Sequence, residues 1–153
     1  MTEIPYLERV KIQSEILLPL FRLLRSELGS DKSNELLRTA VQEYAVSLGE
    51  QISKTSEGSS IEKLQSFFPV FTANDALELD PIVSSSEELS INVTKCKYAE
   101  YFASIDESEF GTMITCAIDP PMTAGIGSDL KLNRTQTIST GGEHCDFRWS
   151  STK

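Results

Sequence analysis

Leu130-Lys-Leu-Asn-Arg-Thr-Gln-Thr-Ile-Ser139 and Glu143-His-Cys-Asp-Phe-Arg-Trp149, separated by Thr140-Gly141-Gly142, form the stretch that decides the fold. Two runs of alternating character around paired glycines read as a β-hairpin. A two-residue Gly-Gly turn sets Ser139 opposite His144 and Ile138 opposite Cys145. One face then carries Leu130, Leu132, Ile138, Cys145, Phe147 and Trp149, and the other Thr135, Thr137, His144, Asp146 and Arg148. Upstream, Leu89, Ile91 and Val93 alternate with Ser90, Asn92 and Thr94, a half-buried strand on whose polar parity Cys96 falls.

The first third of the chain has a different period. Leu7, Val10, Ser14, Leu17, Leu18, Phe21, Leu24 and Leu28 follow helical spacing over residues 5–28, with Pro5 at the first helical position and a bend expected at Pro19. A second helix carries Leu37, Val41, Tyr44, Ala45 and Leu48 and is expected to stop at Gly49. A short helix over Ile61–Phe68 ends before Pro69, and residues 69–88 read as an irregular acidic surface connection. Residues Tyr98–Ser104 and Ser108–Ile118 read as helices, the second ended by Pro120-Pro121, and Met122–Ser128 reads as a loop. Helices first and antiparallel strands later indicate an α+β fold, with N-terminal helices packed on a small antiparallel sheet that ends in a β-hairpin. At 153 residues and 39% apolar composition, the chain is expected to form a single domain over 1–153.

Charge and cysteine usage narrow the function. With 14 Lys+Arg against 23 Asp+Glu the net charge is −9, and the acidic excess extends through every third of the chain. No basic face emerges, so nucleic acid and anionic membranes are unsuitable partners. The stretch Met1–Phe21 holds no uninterrupted apolar run of signal-peptide length and nowhere do about 18 apolar residues stand together, so neither a signal peptide nor a membrane span is expected and a cytoplasmic location is. Cys96, Cys116 and Cys145 are odd in number and lack Cys-x-x-Cys spacing, so free thiols are expected and no metal site is read. No nucleotide-binding glycine pattern occurs.

Several residues can carry chemistry. Arg134 and Gln136 share a parity with the apolar face, so the guanidinium either pairs with a structural carboxylate or forms a fork for a substrate carboxylate. Cys145 fits a small core residue as well as a nucleophile. Cys116 and Asp119 stand three residues apart, on one side of a helical turn. His144 is the only histidine, and on a regular strand it points away from Cys145, which leaves Cys116 or Cys96 as thiol partners. Glu100 follows Cys96 at helical spacing and is a reserve general base.

Four blocks occur together: Asn92-Val-Thr-Lys-Cys-Lys-Tyr-Ala-Glu100, Cys116-Ala-Ile-Asp119, Leu132-Asn-Arg-Thr-Gln-Thr-Ile138 and Gly142-Glu-His-Cys-Asp-Phe-Arg148. With Tyr6-Leu-Glu-Arg-Val-Lys-Ile-Gln13 and Leu17-Leu-Pro-Leu20, this set resembles the L-2-amino-thiazoline-4-carboxylic acid hydrolase family. The resemblance implies a hydrolase that needs no cofactor and opens a small carboxylate-bearing thiazoline to an N-carbamoyl-cysteine-type product. Its pattern is also similar to the α+β fold of vinyl-reductase-type and vesicle-trafficking-subunit domains. Joined to the resemblance, Cys116 is expected to attack the ring carbon and His144 to move the proton, while Asp119 orients a base or binds the amidine-like nitrogen. Arg134 holds the carboxylate, with Gln136 and Arg148 as further binding candidates. Cys145 is the alternative nucleophile, and Arg148 with Asp146 is the alternative structural ion pair. The competing readings are a non-catalytic α+β ligand-binding or assembly module and a hydrolase of a different cyclic amidine or amide. The long acidic segment 69–88 and the bent first helix are both candidates to cover a partner surface, and a homo-oligomer is among the partners considered.

Overall fold

In a computed structural model describing residues 3–152, the alternating run from Leu89 lies in the interior of a four-stranded antiparallel sheet. Four helices precede the sheet: α1 (Tyr6–Leu28), α2 (Ser30–Thr55), α3 (Ser60–Phe67) and the single turn α4 (Pro69–Thr72). Strands β1 (Leu77–Ser84) and β2 (Glu88–Cys96) follow, then α5 (Lys97–Ser104), α6 (Ser108–Ile114) and α7 (Asp119–Ile126), then β3 (Leu130–Asn133) and β4 (Cys145–Ser151). The strand order is β1-β2-β4-β3. Among the described residues, no helix is long and apolar enough to cross a membrane.

The inner sheet face is a ladder of apolar pairs. Leu89 faces Trp149, Ile91 faces Phe147 and Val93 faces Cys145, all six buried. Such pairs stabilise a sheet because one burial event removes both side chains from water. The outer parity pairs Ser90 with Arg148 and Asn92 with Asp146. Against the inner face pack the helices, α1 contributing Tyr6, Leu7, Val10, Leu18 and Phe21.

The α+β architecture and its closing hairpin stand as expected, but several local features differ. Residues 69–88 are not irregular: they hold α4 and the edge strand β1. The alternation there lasts only through Leu77 and Leu79 before Pro81, a residue that an edge strand tolerates because its N–H is not needed in a second ladder. Helix α2 continues through Gly49 to Thr55. A Cβ built on Gly49 would lie 2.2 Å from the Met122 carbonyl oxygen, and one on Gly125 2.4 Å from that of Val46, so the glycines allow α2 and α7 to meet backbone to backbone. Pro120-Pro121 begins a helix instead of ending one, since the first turn of α7 has no use for their missing N–H groups. Met122–Ile126 is therefore helical, and α6 passes into α7 through the 3-10 turn Cys116–Ile118.

Another difference is the hairpin register. β3 stops at Asn133, with Leu132 opposite Trp149 and Asn133 opposite Arg148, so residues 134–144 form a longer connection than a Gly-Gly turn. The two-residue displacement preserves which side chains face inward. Asp146 supplies the reason: its carboxylate accepts from the backbone N–H of Thr135 at 2.9 Å and of Gln136 at 2.8 Å, and from the Thr135 hydroxyl. Desolvation acts in the opposite sense, but these hydrogen bonds prevail and hold the Asp146 carboxyl down at about 2.

Pro5 lies just before α1 rather than at its first helical position, and α1 runs through Pro19 without a break. The proline is on the solvent side.

The Gly49–Gly125 contact yields a test. Alanine at position 49 gains about 1 kcal/mol of intrinsic helix preference over glycine. Overpacking against the α7 backbone costs about 1–3 kcal/mol, so Gly49→Ala is expected to be net destabilising in urea denaturation; an unchanged or raised midpoint contradicts the close-contact account.

Candidate active site

Three thiols from three separate elements line one pocket. Cys96 ends β2, Cys116 begins the 3-10 turn before α7, and Cys145 begins β4. A cavity of about 80 Å³ is lined by all three together with Asp119, Thr115 and a mostly apolar wall that includes Tyr6, Phe71, Tyr98, Phe147 and Trp149.

Cys96 reaches this pocket against its expected parity. Across from β1, Glu78 pairs with Lys95 while Leu79 pairs with Val93, so Thr94 is an extra residue in β2. This bulge inverts the alternation beyond it and turns Cys96 inward, where its sulfur accepts from the Ala99 N–H at 3.4 Å and caps α5. Cys145 Sγ accepts from the Ile138 N–H at 3.3 Å. Burial pushes the Cys96 thiol up to about 11 and raises that of Cys145 as well. Cys116 Sγ is 3.1 Å from Ser139 Oγ, which in turn lies 3.0 Å from Thr112 Oγ1.

Asp119 opens α7, and its carboxylate accepts from Arg134 Nη1 at 2.6 Å. Arg134 Nη2 donates to the Cys116 carbonyl oxygen at 3.2 Å, and the guanidinium carbon lies 5.2 Å from the Phe147 ring centroid. One arginine thus holds the residues of the Cys116–Asp119 turn against β4. The pair is largely withdrawn from solvent, with side-chain exposures of 15% for Arg134 and 18% for Asp119. Desolvation raises the Asp119 carboxyl to about 6, while the guanidinium pulls it back down. A second chain of bonds fixes α7 to the sheet: Trp149 Nε1 donates to Thr123 Oγ1 at 2.9 Å, and Thr123 donates to the Asp119 carbonyl at 2.7 Å.

The other expected site residues lie elsewhere. His144 is half-buried just before β4 and does not line the pocket. Glu100 is exposed in the first turn of α5. Gln136 has its backbone N–H on Asp146, and its side chain lies beside Gly142. Arg148 belongs to the outer parity, where it donates to the Ile91 and Phe147 carbonyls and to Asn92 Oδ1 rather than pairing with Asp146. Sequence reading overlooked Ser139, whose contact with Cys116 spans 23 residues, and the aromatic wall. The Tyr6 and Phe71 rings, 5.0 Å apart, come from α1 and α4, and no local spacing announces that meeting.

The Asp119 carboxyl offers a direct measurement. Because burial raises it and Arg134 lowers it, Arg134→Gln is expected to move its midpoint above about 6 in a carboxyl 13C NMR titration. A raised folded-state value means that the native protein binds the proton more tightly than the unfolded chain. The stabilising effect of that proton is complete below about 3.8 and is lost as pH rises through about 6. Asp119→Asn should remove this decline from a pH series of denaturation curves, and persistence of the decline assigns it to another group.

The sequence profile of the L-2-amino-thiazoline-4-carboxylic acid hydrolase family matches residues 9–149. No curated protein matches the chain. Among solved structures, it is similar to the phenol-responsive sensory domain of the transcription activator PoxR with phenol, at a TM-score of 0.56 and 13% identity over 88% of this chain and 72% of that one. It is also similar to a trafficking protein particle complex subunit 3 from Naegleria fowleri covalently bound to palmitic acid, at a TM-score of 0.50 and 15% identity over 94% and 97% of the two chains. At these identities the two structures speak for the fold alone. The profile match spans nearly the whole sequence, and the chain belongs to the L-2-amino-thiazoline-4-carboxylic acid hydrolase family.

Proposed function

We propose that the chain is a hydrolase that opens a small carboxylate-bearing thiazoline, with Cys116 as nucleophile and Asp119 as proton donor. The observation that carries this reading is the joint placement of Cys116 and Asp119 on one pocket wall, with Arg134 bonded to both residues. Burial works against thiolate formation at Cys96 and Cys145, which favours Cys116 for attack.

In the proposed reaction, the sulfur of Cys116 bonds to the ring carbon held between nitrogen and sulfur. The ring nitrogen takes up a proton from Asp119, whose raised carboxyl retains one nearer neutrality than an ordinary aspartate does. Asp119 recovers its proton from the attacking Cys116 thiol, the bond from that carbon to the ring sulfur breaks, and the sulfur takes the proton from the ring nitrogen and leaves as a thiol, giving an isothiourea on Cys116. Water then adds to the same carbon, the bond to Cys116 breaks, and a carbamoyl product departs with the thiol regenerated. This assigns to Asp119 the proton transfer first expected of His144, because Asp119 lines the pocket. Arg134 is not among the residues that line the pocket but is bonded to two that do; of its five N–H donors, those not directed at Asp119 and Cys116 are assigned to a substrate carboxylate.

A second reading is a binding module for an apolar or aromatic small molecule, favoured by the aromatic wall of the cavity. The sensory domain of similar fold is described with phenol. Thiol labelling separates the two: a hydrolase has a fast-reacting cysteine that substrate protects, whereas packed thiols react on unfolding.

Mass spectrometry of 2-amino-thiazoline-4-carboxylate incubated with the protein is expected to show ring opening. Cys116→Ser should lower the rate on the order of 10³-fold, and Cys145→Ser much less. Full activity in Cys116→Ser overturns the nucleophile. Arg134→Lys should erase the preference for the free carboxylate over its methyl ester, since lysine lacks the planar fork. Equal losses on both substrates would instead mark Arg134 as a positioning residue for Asp119.

A further inference from the structure

The face of α1 opposite its buried stripe is apolar. Ile12, Ile16, Leu20 and Leu23 are 53%, 71%, 50% and 57% exposed, at helical spacings of four, four and three residues, with exposed Pro19 among them. A continuous row of this kind on the solvent side of a helix is a binding face rather than scattered surface leucines.

The charges around the row are arranged in two ways. Arg22 pairs with Glu107 and Arg25 with Glu109, contacts that fasten the flank of α1 to its own chain. Arg9 and Glu27 lie on the apolar side, three residues before Ile12 and four after Leu23, and neither forms an ion pair among the described residues. Arg9 only leans over the Tyr6 ring, at 5.5 Å. The row is therefore bracketed by a cation at one end and an anion at the other, roughly equidistant from its centre.

We infer that this face is the interface of a homodimer, in which α1 packs antiparallel on α1 of a second copy. A two-fold axis near residue 18 sets Ile16 against Leu20 of the second copy and Arg9 against its Glu27, each contact occurring twice. Parallel packing would instead oppose like charges at both ends. The charged ends are separated by about 27 Å at 1.5 Å per residue, which matches one helix laid along its equivalent. The −9 net charge and the acidic end of the row disfavour an anionic lipid surface as the alternative occupant.

Sedimentation equilibrium of the full chain at low salt tests this. A dimer is expected at micromolar concentrations, and Ile16→Glu should weaken it about 100-fold without moving the thermal midpoint of the monomer. Arg9→Glu and Glu27→Arg should each weaken it, and the double variant, which restores opposite charges across the axis, should recover the wild-type constant to within about twofold. A wild-type monomer throughout that range overturns the inference. So does an unchanged dimer in Ile16→Glu, or a double variant no better than the single ones.

Discussion

The largely buried ion pair between Arg134 and Asp119 sets the geometry of the candidate site. Withdrawing two charges from water costs several kcal/mol for each, and such a pair persists only where geometry and further hydrogen bonds compensate. Here the guanidinium bonds the carboxylate and the Cys116 carbonyl and lies over the Phe147 ring, so a single side chain positions the helix start that carries both Cys116 and Asp119. The attachment is two-sided. Trp149 reaches the same helix from the sheet through Thr123, so α7 cannot shift without breaking a buried hydrogen bond.

The rest of the fold serves that attachment. The apolar ladder between β2 and β4 makes a rigid floor, and the Gly49–Gly125 contact brings α2 close enough to back α7 from the other side. The cavity between floor and helices is closed by aromatic side chains from α1, α4 and α5. An apolar enclosure raises the protonation midpoint of any carboxyl within it, which is how an aspartate comes to hold a proton where solvent-exposed carboxylates have lost theirs.

Much of this was legible in the chain as written. The change of period at Leu89, the alternation through Trp149 and the amphipathic first helix each follow from which side chains water excludes. The inward parity of Leu130 and Leu132 survives a two-residue register displacement, because an even displacement keeps each paired side chain on its face, whereas Arg134 lies beyond the end of β3 and is held on the apolar side by Asp119 and the Phe147 ring. Cys116 and Asp119 were readable as neighbours from their spacing alone. By contrast, His144 and Arg148 stand out only by chemical type, Glu100 by its spacing from Cys96 and Gln136 by a strand parity that ends before it, and none of these says which cavity a side chain enters. Cys96 was misplaced for a definite reason: a single extra residue at Thr94 reverses parity, and an unpaired strand gives no sign of it.

Glycine and proline mark the boundary most clearly. Locally, Gly49 reads as a helix stop and Pro120-Pro121 as a terminator, but a glycine can also be a contact and a proline also a beginning, and only the neighbouring backbone selects between them. The sequence by itself determined the α+β class, the inward faces and the Cys116–Asp119 pairing, all of which depend on short-range periodicity. The tertiary structure alone decided that three distant thiols share a pocket, that Arg134 is held by Asp119, and that the first helix keeps an uncovered apolar side. Those features depend on where separate elements meet or fail to meet, and local spacing along one chain does not encode that.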